Sequence, residues 1–345
     1  MKSTRGRDNI NMLKRNGLWF FAFAVAICAA GGCRTTTDAL SLWSDGAPSK
    51  RALVEYVDAV TDGNSPDFIP PERRIAVFDL DGTLFCETNP TYFDWQLFER
   101  RVLEDPTSRA SDRLKTAARA SREKGVYPPL GNDRERMTAE AYGGVSIDEL
   151  KAMIRKFAEE PEPRHPGMKR GEMFYLPMVQ LVEYLVSKGF AVYVVSGSER
   201  FIVRALVCGR LPVPPWRVIG SDYTIVSKTQ KGEDGLFYVF GKDDVPVLDG
   251  TQIVKNLQMN KVSALIREIG VKPVLSFGNS HTDASMANYV IGGNEYRAAA
   301  FMVMCDDMKR ENGNAKKADD MKRWCAENGW IPISMRDDWK TIYGK

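Results

Sequence analysis

No internal repeat and no low-complexity tract runs through these 345 residues, and 28 glycines and 18 prolines are no excess for that length. Solenoids, propellers and compositionally driven disorder are therefore set aside. A large charge of one sign is also missing, since 48 Lys and Arg stand against 45 Asp and Glu. Leaving off residues 1–32 removes five basic residues and one acidic residue, so the counts become 43 and 44 and the balance becomes about −1. The small positive excess belongs to the amino terminus, and no nucleic-acid footprint is implied. The apolar stretch at residues 18–30 has about thirteen positions, too few to span a bilayer comfortably and right for the apolar region of a signal segment. Cysteine is scarce. Four of the six lie beyond residue 33: Cys86, Cys208, Cys305 and Cys325. That number permits disulfides without demanding them in a domain this large, and Cys305 with Cys325 is the first pair to test. What remains, 43% hydrophobic, can bury a large core and has room for an insertion.

Lys14 and Arg15 precede the apolar stretch, and Ala30-Gly31-Gly32-Cys33 follows it. Small residues before a cysteine resemble a bacterial lipoprotein cleavage site, which would make Cys33 the lipidated first residue. A plain secretory signal or an uncleaved anchor is the alternative. Either way the expectation is an exported protein, held on the periplasmic side of a membrane through Cys33 or soluble there. Residues 1–32 are then the signal, 33–50 a polar tether, and the folded domain begins near residue 51 with a short helix over 53–60.

The stretch around which the chain is organised is Ile75-Ala76-Val77-Phe78-Asp79-Leu80-Asp81-Gly82-Thr83. Its apolar run reads as a strand buried on both faces, as in a parallel sheet covered by helices. Asp79 and Asp81, two apart, would share a face where Gly82-Thr83 breaks the strand. Ligands of open α/β sheets bind at the carboxyl ends of strands. Like charges this close favour a bound cation or a raised pKa on one of them. An ordinary polar turn is the bland reading of the same residues.

Residues 84–171 read as helical, with apolar spacing over 95–103, 109–124 and 147–159, separated by prolines. Within it Glu87, with Tyr92, Phe93 and Trp95, could form an acidic, aromatic-walled pocket for an amine, or the aromatics could simply pack the insertion onto the core. An α/β rhythm then resumes. A helix over 175–187 leads to a buried strand over 190–195, which ends in Ser196-Gly197-Ser198, where a hydroxyl and free amides before a helix starting near Glu199 would hold an anion. Residues 218–221 and 236–240 read as strands, with a turn at 232–235. Lys261 opens a helical pattern over 261–269. A further strand over 273–277 turns through Gly278-Asn279-Ser280-His281-Thr282-Asp283, whose oxygen donors suit a hard cation. His281 is kept out of the ligand set. Core pattern returns over 298–304, Pro332 limits 330–333 to an edge strand, and 338–343 reads as a helical turn. Asp306, Asp307, Arg310 and Glu311 read as surface.

The apolar strand ending in D-x-D-G-T, the strand ending in Ser196, Lys261 and the Gly-Asn-Ser…Asp turn, in that order, resemble the four signatures of the haloacid dehalogenase superfamily. The Phe277-Gly278-Asn279-Ser280 pattern is shared with its phosphoserine-phosphatase-like branch. The resemblance implies an α/β fold with a doubly wound, mostly parallel sheet, a core over 51–83 and 172–345, and a helical cap over 84–171. It implies an Mg²⁺-dependent phosphomonoesterase acting on a small phosphomonoester, in which Asp79 is the nucleophile and Asp81 the proton donor. Thr83, Ser196 and Gly197 would hold the phosphoryl group and Lys261 would stabilise it; Glu87 beneath the aromatic-rich insertion, read beside this, points to an amine-bearing ester such as phosphorylcholine, phosphoethanolamine or phosphoserine. Asp79, Asp81, Asn279 and Asp283 would hold the metal. Asn279 departs from the usual aspartate and removes one charge. Asp81 argues against a dehalogenase. A phosphotransferase or phosphomutase of the same fold, or a non-catalytic lipoprotein module, are the alternatives.

Overall fold

Ile75–Phe78 forms strand β1 with all four side chains buried, because an apolar residue faces each layer of helices. The computed structural model describes residues 40–87, 91–129 and 133–344. The expected signal segment, residues 1–32, and Cys33 lie outside the described residues. Around β1 the chain builds β2 (Ala191–Glu199), β3 (Val218–Ser227), β4 (Pro246–Val254), β5 (Leu275–Gly278), β6 (Ala299–Met304) and β7 (Ile331–Ser334). The sheet order is β4-β3-β2-β1-β5-β6-β7, parallel throughout except for the β3–β4 pair. This is the doubly wound, mostly parallel α/β core expected.

Alternate residues of β1 serve different layers. Ile75 and Val77 join Leu265, Met286 and Val290, whereas Ala76 and Phe78 face the larger cluster that holds Leu53, Val57, Leu181 and Leu185. On that side Phe78, Phe277 and Phe301, in register on β1, β5 and β6, stack at ring separations of 4.2 and 5.2 Å. Such cross-strand aromatic pairs hold neighbouring strand ends level. Helix α1 (Pro48–Thr61) is longer than the sequence suggests. The Tyr56 hydroxyl on it donates to the carbonyls of Val274 and Arg297, tying it to the turn before β5 and the lead-in to β6.

The insertion after β1 is helical. It comprises α2 (Phe93–Leu103), α3 (Asp112–Lys124), α4 (Asp133–Ala141) and α5 (Ile147–Ala158), and α6 (Leu176–Ser187) then leads back to β2. α4 was not anticipated: its charged sequence has weak periodicity, and it forms because Met137, Ala139 and Ala141 pack inward. After β2 come α7 (Arg200–Val207), α8 (Met259–Ala264, extended by a π-turn over Leu265–Ile269), α9 (Ala284–Ile291) and α10 (Ala315–Asn328).

Several expectations are corrected. The 33–50 tether fails from residue 40 onward, because Leu40 and Trp43 are fully buried and Trp43 packs edge-on against Trp339. Residues 236–240 are an exposed loop: the strand that pairs with β3 is β4, further along. Residues 338–343 form no helix, and α10 was not foreseen. Asp307 and Glu311 are buried, Asp307 accepting from Arg310 and Glu311 from Tyr343 and Cys86. Cys305 and Cys325 are free thiols, like Cys86 and Cys208. Cys325 sits instead among Met302, Met321 and Trp330. β7 with Pro332 is an edge strand, as expected.

Candidate active site

Register explains why distant residues meet. Phe78 pairs with Val194 on one side and Phe277 on the other, and the Asp79 amide donates to the Phe277 carbonyl at 2.9 Å. Asp79 therefore leaves the sheet between the end of β2 and the turn after β5. Lys261 reaches it from α8, fully buried, its ammonium 2.6 Å from Asp79 Oδ1 and 2.6 Å from Asp283 Oδ1. Burial alone would lower the lysine's pKa, but Asp283 and Asp79 hold it above the ordinary value. The Asp79 carboxyl is pushed up to about 7, chiefly by burial and then by Asp283, with Lys261 opposing. Asp81 is held well above the carboxylate range by burial, then by Asp94 and Asp79. Its Oδ2 accepts from the Ser198 hydroxyl at 2.7 Å.

The turn after β5 is shaped by close approach. A Cβ on Gly278 would lie 2.6 Å from that of Asp283, so only glycine lets Asp283 fold back. Asp283 Oδ2 then accepts from the amides of Asn279 and Ser280, each at 3.1 Å. With both oxygens engaged and no exposure, Asp283 orders Lys261 and the loop and is not among the residues that line the cavity.

A cavity of about 160 Å³ lies over Asp79 and Asp81, lined from the core by Gly197, Ser198, Glu199, Tyr223, Leu257 and Asn279 and from the cap by Tyr92, Asp94, Trp95, Tyr127, Arg134 and Thr138. Glu87 also lines it. Ser196 and Thr83 do not. Ser196 is fully buried, and its hydroxyl accepts from the Ser198 amide at 3.0 Å. Thr83 is fully buried, with Oγ1 unpartnered among the described residues. The free helix N-terminus expected near Glu199 is also absent, because Glu199 caps α7 itself, accepting from the Phe201 and Ile202 amides at 2.9 and 3.0 Å. Its other oxygen, Oε1, is buried and accepts no hydrogen bond among the described residues.

Glu87 is already satisfied: it accepts from the Tyr92 hydroxyl at 2.9 Å, the Asn279 amide at 3.2 Å, and the Lys317 ammonium. The expected amine site is corrected accordingly. Phe93 packs against Phe85 and Phe157, away from the cavity, and the Arg134 guanidinium covers Trp95 and Tyr127 at 5.7 and 5.4 Å. Sequence reasoning missed Ser198, Asp94, Glu199 and Lys317. Ser198 alone carried a signal, since it shares a strand face with Ser196 at period two.

The cation-binding reading has a physical test. Beside the protonated Asp81, three buried carboxylates, Asp79, Glu87 and Asp283, are matched by two ammonium groups, Lys261 and Lys317. The Asn279 side-chain oxygen accepts nothing among the described residues although Asn279 is buried at the cavity wall. Uncompensated buried negative charge beside an idle amide oxygen fits a hard divalent cation. No group of three or more His, Cys, Asp or Glu among the described residues forms such a site alone, so backbone and amide oxygens must complete it. His281 faces Gln258 at 2.9 Å.

Residues 76–288 match the model of the haloacid dehalogenase-like hydrolase family. Among solved structures, a functionally unknown protein of Anaerococcus prevotii DSM 20548 is 14% identical over 83% of this chain and 91% of its own, with a TM-score of 0.50. A protein of unknown function from Bordetella pertussis Tohama I is 15% identical over 76% and 98%, with a TM-score of 0.48. Cytosolic 5'-nucleotidase IIIB bound to cytidine is 13% identical over 87% and 91%, with a TM-score of 0.46. At 14% identity the likeness to the first of these is one of fold. No curated protein matches the sequence.

Proposed function

The chain belongs to the haloacid dehalogenase-like hydrolase family, and from that premise we propose that it is a phosphomonoesterase working through an aspartyl phosphate on Asp79. The observation that carries this reading is the buried Asp79–Lys261–Asp283 array with Asp81 beside it at the mouth of the sheet. An Asp79 carboxylate oxygen attacks phosphorus, and the ester P–O bond breaks as the acyl phosphate forms. Asp81, held protonated by burial, gives its proton to the departing alkoxide. It then takes a proton from the water that attacks the same phosphorus, so that inorganic phosphate leaves and Asp79 is restored. Lys261, buried behind Asp79, places a positive charge 2.6 Å from the nucleophile carboxylate, and the Gly197 amide at the cavity wall faces the phosphoryl oxygens. Mg²⁺, held by Asp79, the Asp81 backbone carbonyl and the Asn279 amide oxygen, would supply charge neutralisation at the carboxylates and the phosphoryl group.

The small cavity supports a small phosphomonoester. Its leaving-group side holds Asp94, which has no ion-pair or hydrogen-bonding partner among the described residues, and Glu199 with its idle oxygen. Burial holds the Glu199 carboxyl up to about 8, and a cationic substituent placed against it would draw it back toward the charged form. An amine-bearing alcohol is therefore the leaving group favoured, with Asp94 and Glu199 in the role first expected of Glu87. Export and lipidation at Cys33 rest on residues 18–33 and belong to the same proposal. No helix among the described residues is long and apolar enough to cross a membrane. The test is phosphate release from an aryl phosphate with and without Mg²⁺. Asp79→Asn is expected to abolish release while the circular dichroism spectrum stays native, and retained turnover would refute the assignment.

A further inference from the structure

Asn279 stands where the family resemblance implies an aspartate, and its neighbours account for the exchange. Glu87 comes from the turn after β1, Asn279 from the turn after β5 and Lys317 from the first turn of α10, and Glu87 Oε2 accepts from both others, from Asn279 Nδ2 at 3.2 Å. The three segments are far apart in sequence: Glu87 is 192 positions from Asn279 and 230 from Lys317.

We propose that Glu87 is a positioning residue: it turns the Asn279 amide so that its oxygen is offered to the cation, and it supplies nearby the negative charge that Asn279 lacks. This rests on the metal-dependent reading above. An ionised carboxylate only accepts hydrogen bonds, so the amide must present its NH₂ to Glu87 and its oxygen to the other side. Lys317 pairs with Glu87 through Oε2, and the Tyr92 hydroxyl occupies Oε1 at 2.9 Å. Gly82 makes the approach possible. Its φ is +81°, and a Cβ there would lie 1.9 Å from Asn279 Nδ2 and 3.1 Å from Glu87 Oε2. A carboxylate at position 279 would have no proton for Glu87 and would add repulsion among Asp79, Asp81 and Asp283. Asn at 279 and Glu at 87 thus form a complementary pair, and exchanging the amide and the acid between them would form another.

The test is a double-mutant cycle read by Mn²⁺ affinity, from the paramagnetic resonance signal of free Mn²⁺, and by urea midpoint without metal. Glu87→Gln should weaken Mn²⁺ binding by roughly tenfold or more, the usual effect of removing a group that orients a metal ligand, because either end of the new amide can then face Asn279. Lys317→Met should weaken it in the same direction. Asn279→Asp alone should lower the urea midpoint of the metal-free protein. Combining it with Glu87→Gln should restore that midpoint, and should return Mn²⁺ affinity at least to the wild-type value, because donor and acceptor match again. Unchanged Mn²⁺ affinity in Glu87→Gln overturns the proposal even if stability falls, since a merely structural role would do the same. Additive losses in the double variant overturn it as well. A wild-type protein that binds no divalent ion removes the parent reading, and this role with it. Binding that is normal in the wild type and in Glu87→Gln leaves the parent reading standing and sinks only this one.

Discussion

Glu199 is buried at the junction of β2 and α7, with one oxygen capping the helix and the other idle. Burial is the main cause that lifts its pKa from 4.5 to about 8; the two capping amides oppose the shift, and Asp222 and Asp94 add to it. The Asp222 charge is already paired with Arg200 through two contacts of 2.7 Å, which leaves Asp94 as the unpaired neighbour. A pKa raised on folding stabilises the fold while the proton is bound. Below the unfolded value, both states hold the proton and the contribution is whole. Between 4.5 and about 8 only the folded chain holds it, so stability is lost as pH rises through that window. At about 1.36 kcal/mol for each pKa unit, the loss is about 3 to 5 kcal/mol. Glu199→Gln keeps an oxygen for the Phe201 and Ile202 amides and removes the titration. Urea unfolding at pH 5 and pH 8.5 should therefore show wild type losing about 3 to 5 kcal/mol relative to Glu199→Gln across that interval. Parallel stability curves for the two proteins would refute the reasoning.

Other perturbations follow from the same contacts. Lys261→Met leaves Asp79 and Asp283 facing each other without the ammonium that sits 2.6 Å from each, and should cost about 3 to 5 kcal/mol in urea unfolding as well as turnover; a loss under about 1 kcal/mol would contradict the buried array. Ser198→Ala removes the hydrogen bond to Asp81, a bond to a charged or charging group worth about 1.5 to 3 kcal/mol. It should lower kcat by roughly tenfold to a hundredfold, and an unchanged kcat would remove Ser198 from the site. Gly82→Ala must take up φ +81° and displace Asn279. It should destabilise the protein by at least about 1 kcal/mol and weaken Mn²⁺ binding, and native affinity in that variant would contradict the geometry described for Asn279.

The centre of the fold was legible because strands buried on both faces write themselves as unbroken apolar runs. Ile75–Phe78 lies in the middle of the sheet, and the residues at the ends of β1, β2 and β5 converge as their register requires. Lys261 is the clearest case. Its local pattern is that of any lysine opening a helix, and only its order among the other motifs singles it out in the sequence, whereas its contacts with Asp79 and Asp283 are tertiary. What escaped was tertiary. Lys317 reaches Glu87 from 230 positions away with no local mark, and Glu199 looked like the start of a helix although its carboxyl fills the cap. Leu236 and Phe237 alternate like a strand yet lie exposed in a loop, because β3 finds its partner further along in β4. The stretch before α1 reads as a polar tether, and it is Trp43 packing against Trp339 that brings it into the core.

The central claim is a covalent phosphoryl group on one carboxylate. Quenching the enzyme during turnover, reducing it with borohydride and mapping the peptides by mass spectrometry reads this directly, because an acyl phosphate is reduced to the alcohol and aspartate is converted to homoserine. Homoserine at position 79, dependent on substrate and missing in Asp79→Asn, is the result predicted. Homoserine at position 81, or none at either position during active turnover, would contradict the account.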